Sequence, residues 1–166
     1  MIKTKENLKV KTNKIDAKWY KSLQKRGFTA DSIYDKGQHE DLKNRLLEIG
    51  GEAVIIWFID SDKESLLARG ECFIEPKIEM RKGRDNSCHS NSAKIWNRKR
   101  RRFQICTGYA LSDDGIWRQH TWVMDGSTVI ETTEIGIAYY GFRLNKEEAK
   151  RFYLANPSDN SRSLFF

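Results

Sequence analysis

Residues 103–133 read FQICTGYALSDDGIWRQHTWVMDGSTVIETT, and the two breaks in this run decide how the surrounding chain is organised. Three stretches rich in β-branched and aromatic residues, FQICTGYAL, IWRQHTWVM and STVIETT, are separated by SDDG and by DG, both hairpin-turn sequences. Connections that short join antiparallel neighbours, so the run predicts a three-stranded meander. Its middle strand carries His120, one of three histidines in the chain, between Gln119 and Thr121. A histidine there has either a packing reason or a chemical one.

Working outward, IAYYGF (137–142) adds a fourth short strand. Asn145 then opens a last helix, NKEEAKRFYLAN, in which Glu148 completes a capping box, before Pro157 and a Ser/Asn-rich tail. Upstream, CHSNSAKIWNRK reads as a helix starting at Cys88, with Asp85, Asn86 or Ser87 as N-cap and Cys88, Ala93, Ile95 and Trp96 as its apolar side. LLARGECFIEP (66–76) reads as a strand or broken strand ending at Pro76, and AVIIWFI (53–59) as a fully buried strand. Before these come two amphipathic helices. AKWYKSLQKR follows Asp16 and stops at Gly27; HEDLKNRLLEIG places Leu42, Leu46, Leu47 and Ile49 on one side ahead of Gly50-Gly51. Residues 1–13 have few apolar anchors and read as a frayed lead. This order is α+β rather than alternating βαβ: an antiparallel β-sheet with packed helices, in a single domain of 166 residues.

Composition narrows the class. With 39% hydrophobic residues, including 8 Phe, 6 Tyr and 5 Trp, the chain suits a packed core rather than disorder. Thirty basic against 23 acidic residues give a net charge of +7, which favours anionic partners without specifying a reaction. The three cysteines, Cys72, Cys88 and Cys106, have no C-x-x-C spacing, so neither a disulfide framework nor a zinc ribbon is expected and a reducing compartment fits best. The opening MIKTKENLKVKTNK lacks the apolar stretch of a secretory signal, and AVIIWFI is too short to cross a bilayer. A cytoplasmic protein with no membrane partner is expected.

A thiol becomes a nucleophile near neutral pH only when its thiolate is stabilised, and the free N–H groups of a helix N-terminus do this. Cys88 is placed at one. A histidine on a rigid element must then hold the ion pair and carry the proton to the leaving group, and His120 in the middle strand qualifies. The imidazole in turn needs an orienting carboxylate or amide on a neighbouring strand. If the hairpin pivots about Asp125-Gly126, facing residue numbers sum to about 251, which sets Glu131 opposite His120 on one face. For an oxyanion, the backbone N–H of Cys88 is a natural donor, with Asn86, Asn91 or Gln104 as candidate side-chain donors. Gln119 is set aside because strand alternation turns it to the other face.

CHSNSAKIW, ICTGYALSDDGIWRQHTWV and VIETT together resemble the core of the transglutaminase-like cysteine enzymes within the wider papain-like group. That family runs Cys at a helix start, a Gly-Tyr-type strand, a His-x-Trp strand and a strand ending in Asp-x-Thr. The resemblance spans roughly residues 85–142. It implies a papain-like or transglutaminase-like core, with Cys88 as nucleophile, His120 as base and acid, and Glu131 as orienting residue. Gly108-Tyr109, Trp122 and Thr133 fall at matching positions. Two departures stand out: the acid is Glu where the family usually has Asp, and Ser127-Thr128-Val129 replaces the Gly-Trp before it. Asn91 and Glu134 therefore remain alternative third members.

The expected function is acyl transfer on a protein, peptide or small amide substrate, as a peptidase, deamidase, amide hydrolase or transglutaminase, without a cofactor. His89 beside Cys88 invites a metal, but no second Cys or His pair completes four ligands, and no metal site is expected. The run NRKRRR (97–102) reads as a solvated helix end. The alternative it supports is a non-catalytic basic module binding nucleic acid or an acidic protein through Arg98, Lys99, Arg100, Arg101 and Arg102. Trp122 is either a wall of the cleft or core. Oligomeric state is left open.

Overall fold

The structure is a computed structural model, described over residues 39–56 and 62–157. The expected lead 1–13, the helix after Asp16, the end of the AVIIWFI strand and the Ser/Asn-rich tail lie outside those residues. Helix α1 (Glu40–Ile49) buries Leu42 and Leu46 completely, one turn apart on the same side, as its apolar spacing requires. It ends at Gly50, and Gly51 takes the left-handed φ of +81° that redirects the chain into strand β1 (Ala53–Ile55). Helix α2 (Lys63–Arg69) follows, then β2 (Glu71–Ile74) and β3 (Ile78–Met80).

The stretch 66–76 is thereby corrected. Its first half, Leu66 to Arg69, is the end of α2, with Leu66 fully buried; only Glu71–Ile74 is extended. A short apolar run is ambiguous between the two states, and here tertiary burial of Leu66 decides it. Strand β3, beyond Pro76, was not anticipated at all.

Helix α3 (Cys88–Arg98) is followed by β4 (Gln104–Leu111), β5 (Ile116–Asp125), β6 (Thr128–Glu131), β7 (Ala138–Arg143) and helix α4 (Lys146–Ala155). The predicted capping box closes α4: Glu148 N–H donates to Asn145 Oδ1 at 2.9 Å, and Asn145 N–H donates to Glu148 Oε2 at 2.7 Å.

Seven strands form one curled, mostly antiparallel sheet among the described residues, in the order β2-β7-β4-β5-β6-β3, with β1 paired to β5. The architecture is mixed α+β with four helices among those residues. The two pairings β1–β5 and β3–β6 are parallel. One apolar cluster gathers α1, α2, Trp117 and Tyr140; a second joins Trp96 of α3 and Ala149 of α4 to Ile105, Val123 and Ile130; a third holds Cys106, Trp122, Met124, Val129 and Tyr139.

One edge of β5 positions the site. Its other edge pairs with β4 from Trp117 to Met124 without a break. This edge is shared: β1 takes Ile116–Arg118 and β6 takes Val123–Asp125, which leaves Gln119–Trp122 without a strand partner there. Helix α3 occupies the gap, and buried Ser92 donates its hydroxyl to the Thr121 carbonyl at 3.2 Å. An open strand edge is thus satisfied by a helix side chain.

The β5–β6 register corrects the expected pivot. Asp125 faces Thr128 and Val123 faces Ile130, so facing numbers sum to 253 and the turn residues are Gly126 and Ser127, with Gly126 at φ +60°. Continued by one pair, this register sets Glu131 opposite Trp122, diagonal to His120 on the same face rather than directly across from it. Diagonal neighbours stand about 7–8 Å apart, which a Glu side chain spans.

Candidate active site

Cys88 is the first residue of α3, with Ser87 in the N-cap position. The Ser87 hydroxyl turns back to the Asp85 carbonyl at 3.2 Å and makes no cap bond, so no side chain caps the first-turn N–H groups among the described residues. The thiol is half-buried, whereas Cys72 is exposed and Cys106 fully buried. Burial pushes the Cys88 thiol up, but hydrogen bonds with His120 and His89 and their charges more than offset this and bring it down to about 6. The contrast is with Cys106, which burial pushes up to about 12, and with Cys72, also raised by burial.

His120 sits in the unpaired stretch of β5 and is 9% exposed. Its Nε2 lies 2.9 and 3.0 Å from the two Glu131 oxygens. Burial lowers its pKa, but the hydrogen bonds to Cys88 and Glu131 outweigh burial and raise it to about 9. Trp122 stacks beside the imidazole at 6.2 Å and 17°, and Tyr139 tilts against it at 6.3 Å.

Glu131 has no exposed surface, and four donors hold its charge. Thr132 and Thr133 donate their N–H groups to Oε1 at 2.7 and 3.1 Å, the Tyr139 hydroxyl donates to Oε2 at 3.0 Å, and His120 adds the fourth. Burial alone would favour the neutral acid; His120, through its hydrogen bond and charge, and the Thr132 and Thr133 N–H groups hold the carboxyl below its usual range. Tyr139 is itself fixed by accepting the Gly136 N–H at 2.8 Å. Nothing in the alternating AYYGF pattern distinguished Tyr139 from Tyr140, whose hydroxyl instead donates to the Leu66 carbonyl.

Cys88 and His120 border a cleft of about 720 Å³ whose walls include Lys82, Asn86, Gln119, Thr133 and Glu134, while Glu131 is buried outside its lining. The size of the cleft suits a side chain or short peptide. Gln119, set aside by alternation, lines it because the cleft opens across the unpaired edge of β5 and not onto a single face. Among the alternatives, Glu134 is exposed at the mouth and Glu131 is the carboxylate that meets His120.

The oxyanion candidates separate. Asn86 lines the cleft two residues before Cys88, with φ +55°. Asn91 is corrected: its amide donates to the Arg84 carbonyl at 2.8 Å and accepts the Arg84 N–H at 3.2 Å, so it pins the loop ahead of Cys88 and does not enter the cleft. Gln104 is also corrected. It lies opposite Met124, four residues along β4 from the Gly108 that faces His120, roughly 13 Å away, and accepts a hydrogen bond from Arg143 at 2.9 Å. Trp122 is fully buried between Tyr139 and Phe73 and belongs to the core behind His120, not to the cleft wall.

His89 was missed as a partner of the thiol. Its Nδ1 lies 3.3 Å from Cys88 Sγ and its ring stacks on Phe152 at 5.6 Å and 16°. The signal was present in adjacency, but adjacent helical residues diverge by about 100° around the axis, and only the first-turn geometry folds the ring back. Among the described residues, no group of three or more His, Cys, Asp or Glu is arranged to hold a metal ion, and no helix is long and apolar enough to cross a membrane.

Set against known protein families, curated proteins and solved structures, the chain matches none of them.

Proposed function

We propose that the protein is a cysteine-dependent acyl-transfer enzyme with a papain-like or transglutaminase-like core, acting through Cys88, His120 and Glu131. The observation that carries this reading is the arrangement itself: a half-buried thiol at an uncapped helix start, its ionisation favoured by His120, whose Nε2 meets a buried carboxylate. A structural core has no need to lower a thiol to about 6 while raising its neighbouring imidazole to about 9.

In the reaction the thiolate sulfur attacks an amide carbonyl, forming a C–S bond, while the carbonyl electrons move to oxygen. First-turn N–H groups of α3 stabilise that oxyanion. As the C–N bond breaks, the His120 imidazolium gives its proton to the departing nitrogen, leaving a thioester and an amine. Water, or a second amine, then attacks the thioester with His120 taking its proton, and the sulfur leaves as thiolate. Glu131 keeps the imidazole oriented throughout and stabilises its charged form.

The test is selective alkylation. At pH 6, iodoacetamide should modify Cys88 much faster than Cys72 or Cys106, as read by peptide mass mapping. Equal or slower reaction at Cys88 would remove the basis for the enzyme. It would favour the alternative, a non-catalytic basic module, for which the exposure of residues 98–102 speaks.

A further inference from the structure

The basic residues of the chain gather in two stretches, 1–26, with nine Lys or Arg against two acids, and 81–102, of which the second lies among the described residues. Residues 81–102 hold nine Lys or Arg and one acid, Asp85, a net of +8, while the whole chain carries +7, so the remaining 144 residues sum to −1. Folding gathers much of this charge along α3. A groove of about 870 Å³ is walled by Arg81, Lys82, Arg84, Lys94, Arg98 and Lys99, with no Asp or Glu in its lining.

Not all of the basic run contributes. Arg100 hydrogen-bonds Asn97 and covers Trp96, and Arg102 pairs with Asp125, so both are engaged by their own protein. Lys94 and Arg98 are exposed and make no ion pair among the described residues. They continue a stripe that runs from the N-cap Ser87, beside Cys88, along α3 through Asn91, Lys94 and Arg98. Lys82 lines both the groove and the thiol cleft, so the two spaces adjoin.

An anion of extended form fits this stripe, and two features favour polypeptide over nucleic acid. The aromatic side chain in the lining, Phe103, is 3% exposed and offers no platform on which a base could stack. The adjoining thiol takes an amide carbonyl, which a polypeptide supplies. Along the helix, Lys94 lies about 9 Å and Arg98 about 15 Å from Cys88. An extended peptide covers about 3.3 Å per residue.

We infer that this groove is the substrate subsite for an acidic polypeptide segment, with Asp or Glu side chains about three and about five residues from the reacting amide held by Lys94 and Arg98. The inference rests on the thiol chemistry proposed above.

The experiment uses six-residue peptides bearing an iodoacetyl group at either end and a body of Glu/Asp, Ser or Lys. Labelling of Cys88 in the full chain is measured, each rate divided by the iodoacetamide rate of the same protein. The acidic probe should exceed the lysine probe at least roughly tenfold at low salt, and the advantage should collapse at about 0.5 M salt. The double variant Lys94→Glu, Arg98→Glu, altered at two exposed positions, should invert the order. Probe-independent labelling with a fast iodoacetamide reaction overturns the groove and leaves the thiol reading standing. Slow iodoacetamide reaction at Cys88 overturns the thiol reading instead. The groove is then decided by fluorescence anisotropy with the acidic peptide lacking an electrophile: a roughly tenfold loss of affinity in the double variant supports it, and no change overturns it. If a 12-nucleotide single strand of DNA binds about tenfold tighter than the acidic peptide and loses affinity in the same variant, the groove serves nucleic acid and the inference fails.

Discussion

The chemistry at Cys88 depends on one proton shared between two residues. The thiol titrates near 6 instead of its ordinary 9.0, and His120 near 9 instead of 6.5, so between about 6 and 9 the pair is thiolate and imidazolium. The alkylation rate of Cys88 should therefore rise through pH 6 to a plateau, measured by pH-resolved mass mapping. Acyl transfer should be bell-shaped, falling below about 6 as sulfur is protonated and above about 9 as His120 loses the proton it hands to the leaving group. The two groups act oppositely on stability. The depressed thiol contributes stability that is full above 9.0 and lost as pH falls through about 6; the raised histidine contributes stability that is full below 6.5 and lost as pH rises through about 9. From 6.5 to 9 the slopes cancel, because the proton leaving sulfur resides on the imidazole. Cys88→Ser abolishes that cancellation, and its denaturation midpoint should fall as pH rises from 6.5 until the histidine, still raised by Glu131, has lost its proton, where the parent's stays flat.

At the level of strands, the partner of His120 is set by register. Because Glu131 lies diagonal to His120, the length of a Glu side chain serves its reach to the imidazole. Glu131→Asp should lower activity by roughly 10–100-fold and raise the Cys88 pKa; Glu131→Gln, which keeps the length and loses the charge, should cost more, up to about 10⁴-fold. Full activity of the Asp variant would show that register is unimportant. Strand packing beside the site is equally tight. Gly108 faces His120 on one side and Gly141 on the other, and a Cβ on it would meet the Tyr140 carbonyl oxygen at 2.1 Å and Gly141 Cα at 2.5 Å. Backbone cannot give way as a side chain does, so Gly108→Ala should cost about 3 kcal/mol, checked by urea denaturation. The Gly-Tyr pattern was legible in the sequence; that it lets β4 and β7 approach was not.

Across the molecule, site and core are joined through β5, which also carries Trp117, fully buried, with its Nε1 donating to the Gly50 carbonyl at 2.8 Å. Helix α1 is thus tied to the site strand from the far end. Leu46→Ala should lower stability by about 2–5 kcal/mol in urea denaturation while leaving the Cys88 alkylation profile unchanged in the folded protein, since Leu46 belongs to a different apolar cluster from Trp122 and Tyr139. A shifted profile would mean that the clusters are coupled. What the amino-acid order determined alone was local. Turn residues at SDDG and DG, apolar spacing in Leu42 and Leu46, and the Asn145–Glu148 capping box act over a few residues, where backbone preference and side-chain period suffice. The order of Cys88, His120 and Glu131 was also readable, since a meander must bring its strands side by side. Tertiary structure decided what depends on two-residue differences or on distant chain. It set the 253 register, placed Leu66 in a helix, added Tyr139 to the carboxylate and turned Asn91 to the loop. It also left the β5 edge open for α3, because β1 and β6 arrive from far apart and neither their lengths nor their ends are written in β5 itself.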